Sequence, residues 1–519
     1  MSVKITKSSI MGFVEETTEG ELKELIAGSQ FVKLREGFSF DGAVESLDSD
    51  ELTGGDIGMS KSFVSKEVPT GSLPKYLKGS GFEGVAPDYS VLIKSAMGSQ
   101  VVNSTEYQTT GVSVAGDALT QASLTMGSDE EDNFVVGQAV LIKDGVNGYS
   151  IRNVESVDSA GGKLALNYNL SASPATATKL GKAIAFKGSS DHKTFSAHRY
   201  QAKDGSAFKN AMAGCRTTSM SFEYPALGFA SGTFEFAGTK FFYNHIRIDA
   251  TNKFIDFTDD VAGDRLATLE EKVYGNAHEL AREISSKMTA ASVGGGNDTI
   301  TCTYSDVTGK FTISSNGSAF GIKWKTGSKG ADNTDTHAGS ILGYSDAADL
   351  TGAVSYVGDN AQTYSSSLTP VYDESDNLIV KGSELMIGDF TQNFCRKATT
   401  LSFSISTPKT DALSICAENG IDSSVTLSRE ATFSATLLLQ EHEVGLFDKF
   451  VNNTTTQLMF NTGTKSANNW EPGKCMNIYM ANASITAHPI ADSDGYQVVN
   501  IEAKAFVTSS KSDVYINFL

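Results

Sequence analysis

The chain has 519 residues, 40% of them hydrophobic, and a formal net charge of −19 at pH 7. Apolar content of that order excludes wholesale disorder, and the acidic balance excludes a surface built to grip nucleic acid, which needs clustered Lys and Arg. With 49 glycines, 9 prolines and many Ser and Thr residues, the composition is that of turn-rich β structure rather than helix bundles.

The five cysteines (215, 302, 395, 416 and 475) are odd in number and form no CxxC pair. Neither a zinc site nor a disulfide framework follows, and reduced thiols made in a cytosol fit best. The first 25 residues lack a signal-peptide apolar core, and no later run reaches membrane-spanning length, so no membrane binding is expected.

Residues 1–35 read as an N-terminal arm. From Phe38 the chain alternates in strand fashion, and Ser62 to Lys78 reads as one further strand, with Pro69 and Pro74 placing part of it at an edge. Pro87-Asp88 opens a short helix that Gly98 stops. Residues 101–195 read as an inserted small β domain. Apolar runs at Phe134–Val136, Ala139–Ile142 and Leu164–Leu166 are separated there by Asp-Gly, Asn-Gly and Gly-Gly turns.

Residues 196–245 resume the first pattern. Met220, Phe222 and Tyr224 alternate with Ser219, Ser221 and Glu223, and Phe234 and Phe236 with Thr233 and Glu235. Each strand then has one buried face, which puts Glu223 and Glu235 on the wetter side. Residues 246–360 read as an inserted α+β domain. Its helix runs from Asn276 to Met288 with Glu279 at the capping-box position, and a hairpin follows, Ile300–Tyr304 and Phe311–Ile313. Residues 361–384 are a polar linker, and 385–519 form a second β-rich segment in which Leu401, Phe403 and Ile405 alternate with serines.

Two stretches recur. Ser65–Gly98 and Ser428–Asn452 both open a strand with Ser-Lys/Arg-Glu and close on a helix. Leu92, Ile93, Ala96 and Met97 of the first helix match Leu446, Phe447, Phe450 and Val451 of the second. Met220–Phe241 aligns without gaps on Ile485–Phe506, with Phe222 on Ala487, Phe234 on Val499 and Phe236 on Ile501. Both recurrences point to a duplicated module, 36–100 plus 196–245 and then 385–519.

Signals for chemistry are weak. Gly79-Ser80-Gly81-Phe82-Glu83-Gly84 matches GxGxxG, but the helix begins after Pro87, too late to hold a pyrophosphate, so the glycines read as a structural turn. Asp492-Ser493-Asp494-Gly495 begins like a calcium loop, but no Glu closes it; the run Asp129–Asp132 reads as a solvated loop. The seven histidines are scattered and no nucleophile elbow exists. No catalytic, cofactor-binding or metal residue is assigned, and the chain reads as a non-enzyme.

The segments 31–52, 69–98, 214–244, 303–315, 414–439, 469–495 and 514–519 resemble the tail tube (major tail) proteins of long-tailed bacteriophages, in the type that carries its module twice. The resemblance implies a mainly β fold: two β-sandwich modules whose sheets join neighbouring subunits into an inner β-barrel. It further implies rings stacked into a hollow tube in the virion tail, assembled in the host cytoplasm, through which DNA is ejected without specific binding. Its partners would be further copies of itself, in trimeric rings of pseudo-sixfold symmetry, with the tape-measure, terminator and baseplate or tail-tip proteins. Glu223 and Glu235 are then candidates for facing the lumen, and both inserted domains are expected outside the tube. The alternative is a receptor-binding or adhesin-like tail protein; a carbohydrate-active enzyme is a weaker third reading.

Overall fold

The computed structural model describes residues 9–48, 62–113, 122–172, 174, 177–201, 208–260, 263–292, 298–364, 366–373, 375–392, 394–417, 420–440, 444–467, 469–493 and 495–519. Strands take 48% of the chain and helices 8%, so the fold is mainly β. The chain divides into two compact units, a larger one (Met11–Ala197, Ala213–Lys240 and Leu368–Leu519) and a smaller one built mainly on Phe241–Ser367.

The elements used below are, in chain order, β1 (Ser39–Asp41), β2 (Thr70–Tyr76), α1 (Ser90–Met97), β3 (Gly98–Asn103), β4 (Ala183–Gly188), β5 (Lys209–Pro225), β6 (Ser231–Ala237), α2 (Ala277–Ser292), β7 (Ala398–Ser406), β8 (Glu430–Leu438), α3 (Val444–Val451), β9 (Thr456–Ser466), β10 (Asn469–Ala487), β11 (Ile490–Ser493), β12 (Tyr496–Ala505) and β13 (Tyr515–Phe518).

In the larger unit, eight strands form one antiparallel ladder in the order β1–β2–β6–β5–β7–β8–β12–β11. The period-2 alternation of the sequence is realised here. Phe222, Phe234, Phe236, Phe403 and Phe433 are at most 2% exposed, and each such burial contributes roughly 1.5–3 kcal/mol. Their rings interlock across strands, with Phe222–Phe234 at 5.8 Å, Tyr224–Phe403 at 6.3 Å and Phe403–Phe433 at 5.1 Å between centroids. A second ladder, β3–β4–β13–β10–β9 with Glu384–Gly388 at its end, completes the core. The far end of the long strand β10 turns to pair with β12, so one strand belongs to both ladders.

The stretch Ser62 to Lys78, read as one strand, is two. Ser62–Glu67 pairs with Val44–Asp48, whereas β2 pairs with β1 and β6. The break falls at Val68-Pro69, where proline withholds a ladder N–H. Helix α1 begins at Ser90 and ends at Gly98, whose φ of +90° is the left-handed cap that glycine adopts without strain. Leu92, Ile93, Ala96 and Met97 on this helix are fully buried. The N-terminal stretch is partly structural: Ser9–Glu15 is a strand with Met11, Phe13 and Val14 buried.

Between β3 and β4 the chain forms a seven-stranded antiparallel sheet. The strand Ala139–Asp144 serves two cores. Val140 and Ile142 pack with Leu124, Val154, Leu164 and Leu180, while Ala139 and Leu141 pack with Trp470, Cys475 and Leu519. The expected run Phe134–Val136 is not a strand. In the smaller unit, α2 buries Leu280, Ala281, Ile284 and Met288 beside two three-stranded sheets. Asn276 caps it, its Oδ1 accepting from the Glu279 N–H at 2.9 Å, and Glu279 in turn accepts from the Gly275 N–H at 2.7 Å.

Candidate functional site: a hydroxyl-lined acidic sheet face

The eight-strand ladder buries one face and exposes the other, so the exposed face follows from register alone. One row across the strands reads Tyr76, Ser231, Glu223, Ser402, Ser434, Glu502. A second reads Ser72, Glu235, Ser219, Ser406, Glu430. Between them runs Pro74, Thr233, Ser221, Ser404, Thr432, Lys504. Glu223 and Glu235 are both exposed, on the face opposite Phe222, Phe234 and Phe236.

The two rows add Glu430 and Glu502, which sequence reading did not single out. In each row two serines separate the carboxylates, a gap of three strands or about 14 Å at ~4.8 Å per strand. The cation in these rows, Lys504, is held by Glu430 at 2.5 Å. Ser219 Oγ donates to Glu235 Oε2 at 2.9 Å. Short hydroxyl side chains keep the surface low and wetted, and excess carboxylate repels a polyanion.

The other sequence signals resolve as structure. Gly81 and Gly84 have φ of +87° and +76°, and a Cβ on Gly79 would lie 2.2 Å from the Gly473 carbonyl oxygen. The GxGxxG run is thus a turn that passes close against the strand end at Gly473, and Gly81 N–H donates to that carbonyl at 3.0 Å. Of the Asp492-Ser493-Asp494-Gly495 motif, Asp492 and Ser493 end β11 and pair with Gln497 and Tyr496 of β12, and Asp494 lies outside the described residues. The acidic run includes a short 3-10 turn in which Glu131 is buried. All five cysteines are free thiols.

In the smaller unit, Asp335, His337 and Asp346 converge closely enough to hold an ion. The buried His337 accepts the Gly339 N–H at Nδ1 (2.9 Å), and its Nε2 lies 3.5 Å from Asp335. That pattern puts the imidazole proton on Nε2, facing a carboxylate. A metal ligand at Nε2 would need the opposite tautomer, with Nδ1 as donor.

Sequence reading also missed a buried amide ladder. Asn461, Asn477 and Asn517 stand opposite one another on β9, β10 and β13. Asn477 Nδ2 donates to Asn461 at 2.7 Å, and Asn517 Nδ2 donates to Asn477 at 2.8 Å. Asn153, from the seven-stranded sheet, exchanges two bonds with Asn477 at 2.9 and 3.0 Å. The signal was an Asn at an apolar position in each of three strands.

A mainly antiparallel protein with a finished core and a smooth, polar, acidic sheet face has the character of a structural β protein. The chain belongs to the phage tail tube protein family, whose model matches residues 6–266. Membership places it in the virion tail and supports a structural tail tube role. No curated protein matches the chain. Among the described residues no helix is long and apolar enough to cross a membrane.

Proposed function

We propose that this chain polymerises into stacked rings that form the hollow tail tube, and that DNA leaves through the lumen past the hydroxyl-lined acidic face. The observation that carries this is the junction of β5 with β7. These strands pair over seven residues, Ser219 with Ser406 through Pro225 with Thr400, and bury Met220, Phe222 and Tyr224 against Ile405, Phe403 and Leu401. The junction joins two sets of strands built alike. In the first, β2 and β6 pair Leu73 with Phe234 and Gly71 with Phe236. In the second, β8 and β12 pair Leu437 with Val499 and Ala435 with Ile501. The sequence match of Phe234 to Val499 and of Phe236 to Ile501 supports reading the sets as two copies of one module. The match of Met220 to Ile485 does not hold in register: Val499 stands opposite Ile490, because residues 488 and 489 form a break between β10 and β11.

If copy one meets copy two within a chain, copy two meets copy one of the next chain by the same geometry, and a head-to-tail contact of this kind closes a ring. The ladder begins at β1 and ends at β11, which leaves strand edges for such pairing. The helices agree. Leu92, Ile93, Ala96 and Met97 on α1 are all buried, whereas the matched Phe447 and Val451 on α3 are 50% and 62% exposed. Three chains of eight strands make a closed sheet of 24. Its backbone diameter is roughly 45–50 Å at ~4.8 Å spacing and ~40° tilt, well beyond the about 16–18 strands at which barrels already hold an aqueous channel.

Each strand set also carries a hairpin between its first two strands, Val44–Asp48 with Ser62–Glu67 and Lys409–Leu413 with Ile421–Thr426. Leu47, Phe63 and Val64 on one, and Leu413 on the other, are more than half exposed. These are the arms we assign to ring-on-ring stacking. Tape-measure, terminator and baseplate or tail-tip proteins are the further partners of such a tube. Electron microscopy of concentrated protein tests the reading. Hollow tubes with a threefold repeat support it, whereas compact fibres or glycan binding favour an adhesin.

A further inference from the structure

We propose that residues 487–493 of one chain pair with residues 37–43 of the next, in the register that sets Ile490 opposite Phe40; this rests on the ring reading above. The register is that of β5 on β7, and a β-bulge fixes the correspondence. In the first strand set the bulge falls between Thr217 and Ser219, opposite Phe236 and Glu235. In the second it falls between Ile485 and Ala487, opposite Ala503 and Glu502. Ser219 with Glu235 thus corresponds to Ala487 with Glu502. From there both sets run three residues without a slip, to Phe222 opposite Gly232 and to Ile490 opposite Val499. The Asn500 N–H donates to the Pro489 carbonyl at 3.0 Å, so the register holds through residues 488 and 489. On β12 this correspondence lies two residues beyond the sequence match, which keeps each side chain on its face.

The other strands agree. Phe236 stands opposite Gly71, and its counterpart Ala503 stands opposite Phe433, so one large and one small residue exchange places. A Cβ on Gly71 would lie 2.2 Å from the Phe236 ring, which leaves room for one large side chain in the pair. Phe40 stands opposite Gly71 as Phe403 stands opposite Phe433. Ser39-Phe40-Asp41 therefore corresponds to Ser402-Phe403-Ser404. Where β5 meets β7, Phe222 is opposite Phe403, and both are at most 1% exposed. The counterpart of Phe222 is Ile490, 62% exposed on the last strand of the ladder. The counterpart of Phe403 is Phe40 on the first strand, which packs into the core against Phe236 at 6.5 Å between centroids. The backbone agrees as well. Pro489 turns its carbonyl to β12, so Ile490 presents its N–H and C=O to the open side. The occupant of that edge is a second copy of this chain, whose β1 covers Ile490.

Disulfide trapping in assembled tubes tests the register with the full chain. Asp41 and Pro489 are both exposed and stand opposite each other in it. Pro489 turns its backbone groups inward, so the pair is of the close kind, about 4.5 Å between Cα atoms and within disulfide reach. The background carries Cys395→Ser and Cys416→Ser, which removes the exposed thiols. There, Asp41→Cys with Pro489→Cys should give two and three joined chains on denaturing gels after oxidation. Reduction should separate them, and neither single variant should form them. Asp41→Cys with Ala487→Cys or Ala491→Cys, two residues out of register, should join at least about tenfold less. Ile490→Ala should raise the concentration needed for ring formation about tenfold, the effect of losing one partly exposed aliphatic contact, while Ile490→Val leaves it nearly unchanged. Threefold tubes that join position 41 to 487 or 491, or never to 489, overturn the register and leave the ring reading standing. A wild-type chain that forms no rings overturns both.

Discussion

Replacing Asn477 by Ala removes the centre of the buried amide ladder. Asn153 loses two hydrogen bonds, Asn461 loses the donor at its Oδ1, and Asn517 loses an acceptor for its Nδ2. All four side chains are fully buried, so water does not replace Asn477 without new space. Each orphaned buried group costs about 1–3 kcal/mol. Asn153 and Asn517 keep contacts to the Gly137 carbonyl, at 2.9 and 3.4 Å, which lowers the sum. We expect a loss of about 3–5 kcal/mol in urea unfolding of the unassembled chain. Asn153→Ala combined with Asn477→Ala should fall short of additivity by about 1–3 kcal/mol, because the two share bonds. A single-mutant loss below about 1 kcal/mol, or strict additivity with Asn153→Ala, would refute the claim that this ladder ties the seven-stranded sheet to β10.

Other expectations follow from the same geometry. Glu223→Lys with Glu235→Lys adds cations to the exposed sheet face. Tubes of this variant should retain duplex DNA at low salt and release it as salt rises, while wild-type tubes retain none; equal behaviour would remove the face from the lumen. Phe447→Glu should leave a folded chain, by circular dichroism, that no longer forms rings. Deletion of residues 246–360 across a short Gly/Ser linker should leave assembly intact, because that segment has its own core around Trp324 and Ile284; a soluble, folded deletion variant that never polymerises would count against it. Burial raises the Glu16 carboxyl above its ordinary value, outweighing bonds from Ser196 at 2.8 Å and from the Gly214 and Gly20 N–H groups at 2.8 and 2.9 Å. With the folded value above the unfolded one, the folded chain holds this proton longer. Stability should fall as pH rises from about 4.5 through the raised value and level off above it. In Glu16→Gln that component vanishes, and parallel urea midpoints for the two proteins across this window would refute the assignment.

Much of the sheet was legible in the sequence because one exposed face per strand forces alternation. Met220–Tyr224, Thr233–Phe236 and Leu401–Ile405 lie as their periodicity requires. The helix before Gly98 and the capped helix after Asn276 were legible for local reasons, a left-handed stop and a side-chain acceptor. What escaped was set by partners distant in sequence. The break at Val68-Pro69 exists because the two halves pair with different strands. The amide ladder joins residues 153, 461, 477 and 517, and no local pattern marks such a meeting. The acidic face was half legible: Glu223 and Glu235 follow from alternation, but Glu430 and Glu502 join their rows only through register across the β5–β7 pairing.

The central claim is that one chain supplies two adjacent positions of the ring. The most direct measurement is the mass of an isolated ring, taken with a cross-section of the assembled tube. The account predicts three chains, threefold symmetry and eight strands per chain in the inner wall. Six full-length chains in a ring, or a wall to which each chain gives only one strand set, would contradict it.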